Sequence, residues 1–321
     1  GKSDEAQQLA AECLSTARDT LGAAHPDALA FAVNYAQVLV ASGDADAAAP
    51  LLEKALAAAR STLGSAHSLT LTMISSLATA RHAQGREAEA EALMREDLAT
   101  SRKAFGSSHP DTLTSIFNLA VLLDERAQRR VPSSCSSSAA AEAVHLLREH
   151  LNAGGNSGVA HCGASSAMRL SALLYAQARQ ASPPGRHASP SVPTGEGHTG
   201  APAVSAMLEE SAQLALSALQ ARRAANGSGC TGTIPPLSLL AHALHELGRS
   251  DEAAPLAVEN FKLSRELLGS THPQTVAAMG LLLQTRAAKV SAHTDAAAVT
   301  DDATVTDALE GALPFAWLSG H

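Results

Sequence analysis

The sequence predicts an all-α protein, a right-handed α-solenoid of about six helix-turn-helix units. Three observations carry this. The chain is 45% hydrophobic but only 2% aromatic, and Ala and Leu, the strongest helix formers, supply most of the apolar side chains. Markers recur at a fixed spacing: His25, His67 and His109 are each 42 residues apart, and Gly22, Gly64 and Gly106 stand three residues before them. Acidic and basic residues alternate along the same frame in a way that suits helix ends.

Each unit divides into a helix A and a helix B. The pair Gly-His returns as Gly269 and His272, and a second glycine series, Gly43, Gly85 and Gly248, lies 21 residues from the first. Helix A starts at the Pro after His (Pro26, Pro110, Pro273), where the absent N–H costs nothing. It ends at the second glycine, expected to be the left-handed stop. Helix B opens with acid, as at Asp44 and Asp46, Glu87 and Glu89, or Asp251 and Glu252. It closes on Arg18, Arg60, Arg102, Arg223 or Arg265, each four residues before a glycine. Leu51, Leu52, Ala55, Leu56, Ala59 and Leu63 follow helical spacing and form a stripe that one hairpin cannot bury alone. Stacked neighbours bury it.

Charge and cysteine usage exclude several classes. Net charge is −8, and no basic run exceeds Arg129-Arg130 or Arg222-Arg223, so a nucleic-acid backbone is not an expected partner. Cys13, Cys135, Cys162 and Cys230 lie far apart with no CxxC spacing, which suggests neither zinc nor a disulfide framework and points to a reducing, cytoplasmic setting. No apolar run approaches the length of a membrane span. The chain opens within a running repeat, which suggests a fragment of something longer.

Several small motifs tempt a chemical reading. The His series occupies equivalent sites in adjacent units, separated by roughly 10 Å or more at helix packing distances, too far for shared metal ligation. Gly1-Lys2-Ser3 resembles the end of a phosphate loop, but the repeat frame accounts for it. His161-Cys162 lacks a partner for nucleophilic catalysis and is expected on a repeat turn. No catalytic residue, metal ligand or cofactor is expected, and the chain does not read as an enzyme. Ser182-Pro183 and Ser189-Pro190 are candidates for proline-directed phosphorylation.

The residues arbitrate between solenoid families. Gly85-Arg86 with Glu89-Ala90 and Gly248-Arg249 with Glu252-Ala253 open helix B; Asn34-Tyr35-Ala36 and Asn118-Leu119-Ala120 lie in helix A. With the Leu-Gly-x-x-His-Pro turn at Leu268 to Pro273, this pattern resembles the tetratricopeptide repeat (TPR) of the kinesin-light-chain type, tightly over 1–126 and fairly over 231–288. The resemblance implies a protein-protein interaction scaffold or adaptor that holds a peptide segment of a partner in a concave groove lined by A helices. It places Asn34 and Asn118 against the peptide backbone, a role that an amide suits as donor and acceptor. By position in the family pattern, Val33, Gln37, Thr72, Ser75, Thr79 and His82 are further peptide-binding candidates, with Phe117, Val121 and Asp124 beyond them. The competing reading is that the Asn residues only satisfy contacts between helices. Ala30, Thr72 and Thr114 stand where members that hold a terminal carboxylate have Lys, which disfavours such a ligand.

Domain organisation follows the frame. Residues 1–127 form a regular block, 128–226 a degenerate one with inserts near 129–138 and 181–202 expected to be disordered, and 227–288 a second regular block. Residues 289–321 read as a linker, with a short helix from Asp302 and an apolar end at Leu313 to Leu318 as a possible cap. No heptad coiled coil that would join a motor occurs in these residues. Besides the scaffold, two readings remain: a regulatory or sensor portion of a larger signalling protein or ATPase, and an RNA-binding repeat. The latter lacks its expected period and basic groove.

Overall fold

A computed structural model describes residues 2–129, 134–154, 160–181, 201–227 and 229–296. These residues are helical with no strand among them. In order they form α1 (Lys2–Leu21), α2 (Pro26–Ala41), α3 (Ala45–Thr62), α4 (Ser68–Ala83), α5 (Glu87–Phe105) and α6 (Pro110–Arg129). Then come α7 (Ser134–Gly154), α8 (Ala160–Ala181), α9 (Ala201–Asn226), a 3₁₀ turn (Thr231–Thr233), α10 (Ile234–Glu246), α11 (Ser250–Leu268) and α12 (Pro273–Ala296). Residues 1–173 and 174–321 make two compact units, with the division inside α8.

The expected glycine stops are present, but the two series act differently. At Gly43 (φ 87°) the chain closes a Schellman motif: the Asp44 N–H donates to the Leu39 carbonyl and the Gly43 N–H to that of Val40. Gly106 instead has φ 84° and ψ 170°, a region essentially closed to other residues, and its N–H reaches the Arg102 carbonyl. The first series therefore extends the chain away from helix B. The His that follows then turns it into helix A. Nδ1 of His25, His67, His109 and His272 each accepts the N–H of the residue two further on, at 3.2 Å. The His series is a set of N-caps.

Within unit 1, consecutive helices pack on one another from α1 to α7, and α2, α4 and α6 also touch in sequence. The shared core includes Leu29, Leu52, Met73 and Ile74 with Ala36, Ala48, Ala59 and Ala80, all essentially buried. The alanines let neighbouring backbones approach. In unit 2, α9 to α12 pack in sequence, α10 touches α12, and Leu219, Leu237, Leu240 and Ala253 fill the core.

Three boundaries differ from the sequence reading. The stretch 129–138, expected as a Ser-rich disordered insert, is helical at both ends: Arg129 closes α6 and α7 begins at Ser134. Serine is only modestly worse than alanine in a helix, and the Ala-rich run from Ala139 carries the helix back through it. His161, expected on a turn, lies inside α8. Residues 289–296, read as linker, continue α12. The core of the second insert, 182–200, with both Ser-Pro dipeptides, and the tail 297–321, with the proposed helix and cap, lie outside the described residues.

Candidate peptide groove of the first unit

The A helices of unit 1 present their free faces on one side, and a cleft of about 480 Å³ opens there. Small, amide- and hydroxyl-bearing residues make up most of its lining, with Val40 and Leu71 as the larger apolar side chains among them. From α2 come Ala36, Gln37 and Val40; from α4 Thr72, Ser75 and Thr79; from α6 Thr114, Ser115 and Asn118. Polar bonds tie the helices together across it. Asn118 Nδ2 donates to Ser75 Oγ at 2.9 Å, and Gln37 Nε2 reaches Ser76 Oγ at 3.5 Å.

Of the residues expected at a peptide site, Gln37, Thr72, Ser75, Thr79 and Asn118 line this cleft. The others lie elsewhere. Asn34 is exposed but outside the lining. Val33 is only 3% exposed and packs in the core cluster, so its side chain is structural. His82 Nε2 sits 3.0 Å from a Glu125 carboxylate oxygen, linking α4 to α6. Asp124 is buried, accepts from Gln128 at 2.6 Å and lies 3.4 Å from Arg169. Phe117 faces α7 and α8, with the His150 ring and the Arg169 guanidinium each 6.0 Å from its centre. Val121 is half-buried beyond the cleft. The third A helix thus spends much of its expected binding face on the next hairpin.

Two acidic residues of the cleft escaped the sequence reading. Asp97, on α5, lies at its floor with a side chain only 2% exposed, and Asp111 stands in the first turn of α6. Burial pushes the Asp97 carboxyl up to about 6, the Ser115 hydroxyl works against that, and the charges of Asp111 and Glu96 add to it. Its Oδ1 has no hydrogen-bond partner. A signal did exist. Counted from the glycine that precedes helix B, the equivalents of Asp97 are Ala55 and Asn260, both buried, so a carboxylate on the apolar stripe was the anomaly.

A second missed feature runs along the B helices. Arg60, Arg102 and Arg223, assigned from sequence to the helix dipole, each also reach a glutamate of the following B-type helix. Arg60 lies 2.5 Å from Glu96, Arg102 2.7 Å from Glu149, and Arg223 2.5 Å from Glu259.

Comparison with known proteins agrees with this geometry. Tetratricopeptide-repeat family models match residues 1–61, 70–111 and 237–274. Among solved structures, the nearly identical TPR-like repeats of a kinesin-light-chain-like protein from Podosopora anserina superpose with a TM-score of 0.54 at 20% identity, covering 75% of this chain and 97% of that one. BtubC (BKLC) from P. vanneervenii gives 0.54 at 16% identity, covering 90% and 92%. The curated proteins yield no match. Paired helices stacked edge to edge define a helical-repeat interaction scaffold. Residues 1–61, 70–111 and 237–274 are tetratricopeptide repeats, and their 42-residue spacing is similar to that of kinesin-light-chain-type repeats.

Proposed function

We propose that the chain binds an extended peptide segment of a partner protein in the α2–α4–α6 cleft, as an adaptor or scaffold. One observation carries the reading: three successive A helices bring Gln37, Thr72, Ser75, Thr79 and Asn118 to one open cleft, so amide and hydroxyl groups repeat along the path of a backbone. Such groups donate and accept, as an extended peptide requires. The Asn118–Ser75 bond does not oppose this, since a peptide amide can exchange for it at little net cost. Asn34, Val33, Phe117 and Val121 are left out of the proposed contact set, as are His82 and Asp124, which already hold partners.

A cytoplasmic setting belongs to the same reading. Cys13 and Cys230 are unbridged, and no described helix is long and apolar enough to cross a membrane.

The test compares retention of degenerate short peptides on immobilised wild type, Thr72→Trp and Ala92→Trp. Thr72 lines the cleft, whereas Ala92 is exposed on α5 outside the lining. Retention is expected to fall in Thr72→Trp alone; an equal fall in both, or in neither, removes the cleft assignment.

A further inference from the structure

We propose that this cleft selects a cationic segment, seating a lysine or arginine side chain of the partner against Asp97, with Asp111 at the same end. The inference rests on the peptide-groove reading above and adds which peptides the groove takes. Three observations support it.

The first is charge. The cleft lining contains two carboxylates, Asp97 and Asp111, and no lysine, arginine or histidine. The remaining polar groups are neutral hydroxyls and amides. An acidic segment laid along this path meets like charge at one end, while a cationic one meets its complement.

The second is an unmet acceptor. Asp97 is 2% exposed, yet its Oδ1 has no hydrogen-bond partner in the folded chain. A buried carboxylate oxygen left without a donor is costly, and a donor arriving from the cleft removes that cost. The ammonium of lysine or the guanidinium of arginine supplies both the donor and the charge. Away from bulk water the attraction is stronger than at an exposed surface site.

The third is the comparison among repeats. At the same place in helix B the preceding repeat has Ala55, and α11 has Asn260, 1% exposed and within 3.5 Å of Ser264 Oγ. Packing at this position therefore needs at most an amide. The charge is what the α4–α5 repeat adds, and the group set against it is a hydroxyl, that of Ser115, rather than a cation.

The experiment uses the whole chain and three pools of degenerate short peptides that differ only in a fixed central Lys, Gln or Glu. Retention on wild type, Asp97→Asn and Thr72→Trp is read by mass spectrometry, with thermal melts confirming that each variant folds. Asn260 shows that an amide packs at the position of Asp97, so Asp97→Asn is expected to fold. The expected result is about tenfold greater retention of the Lys pool than of the Glu pool on wild type, falling to near parity on Asp97→Asn. Equal retention of the Lys and Glu pools on wild type overturns the proposal, and this arm needs no variant. So does a Lys preference unchanged in Asp97→Asn. If the pools are retained equally and Thr72→Trp abolishes retention, the groove stands and its cation selectivity falls. If a Lys preference persists in Thr72→Trp, or no pool is retained, groove and selectivity fall together.

Discussion

At the scale of single residues, Asp97 shows how a position can weaken the fold while shaping a site. Its carboxyl sits at about 6 in the folded chain, against about 3.9 for an unperturbed aspartate. The native state therefore holds this proton more tightly than the unfolded chain does. Stability contributed here is complete below about pH 4 and is lost as pH rises through about 6. Asp97→Asn removes the liability: at pH 7 the variant should be more stable than wild type by on the order of 2 kcal/mol, with the gap closing by pH 4. Urea titrations at the two pH values check this, and a variant less stable at pH 7 would contradict it. His67 tests a different residue-scale term. Its Nδ1 caps α4 by accepting the Leu69 N–H, so His67→Ala should cost about 1 kcal/mol and His67→Asn should restore most of it. The His role was half legible: spacing excluded a metal ladder, but the capping bond depends on a ring orientation that spacing does not encode. Asp97 was legible only as an exception to the apolar stripe, because its importance comes from an α4–α6 cleft assembled across repeats.

At the scale of elements, helix limits followed from glycine, proline and acid-base order, because those residues act on their own backbone. Gly85, with φ 75°, closes α4, and a Cβ built there meets nothing within 4 Å. The cost of Gly85→Ala is thus backbone strain alone, about 1–2 kcal/mol by thermal or urea unfolding. Sequence reasoning failed where a weak local signal met a strong neighbour: the Ser-rich stretch before Ala139 entered α7 rather than a loop. It also missed the arginine-glutamate pairs, since partners on different hairpins are fixed only when B helices lie side by side. Arg102 and Glu149 are partly exposed, so the pair is a modest tie. A double-mutant cycle with alanine at both positions should give a coupling of about 0.5 kcal/mol, shrinking as salt is raised.

At the scale of the whole molecule, the repeat period was visible in the sequence, while the division within α8 was not. Repeat arrays gain stability mainly from nearest neighbours, so damage in one unit is expected to stay local. Ile74 is fully buried in unit 1 and Leu237 in unit 2. Ile74→Ala should lower amide protection across α2 to α6 by about 2–5 kcal/mol of opening free energy while leaving α10 and α11 nearly unchanged, and Leu237→Ala should do the reverse. The cleft likewise lies within one unit, lined by α2, α4 and α6 with Asp97 of α5. The measurement that bears most directly on the scaffold reading is an amide NMR titration of the chain with a retained peptide. The account predicts shifts concentrated at Gln37, Thr72, Ser75, Thr79 and Asn118; shifts confined to the exposed faces of α3 and α5 would contradict it.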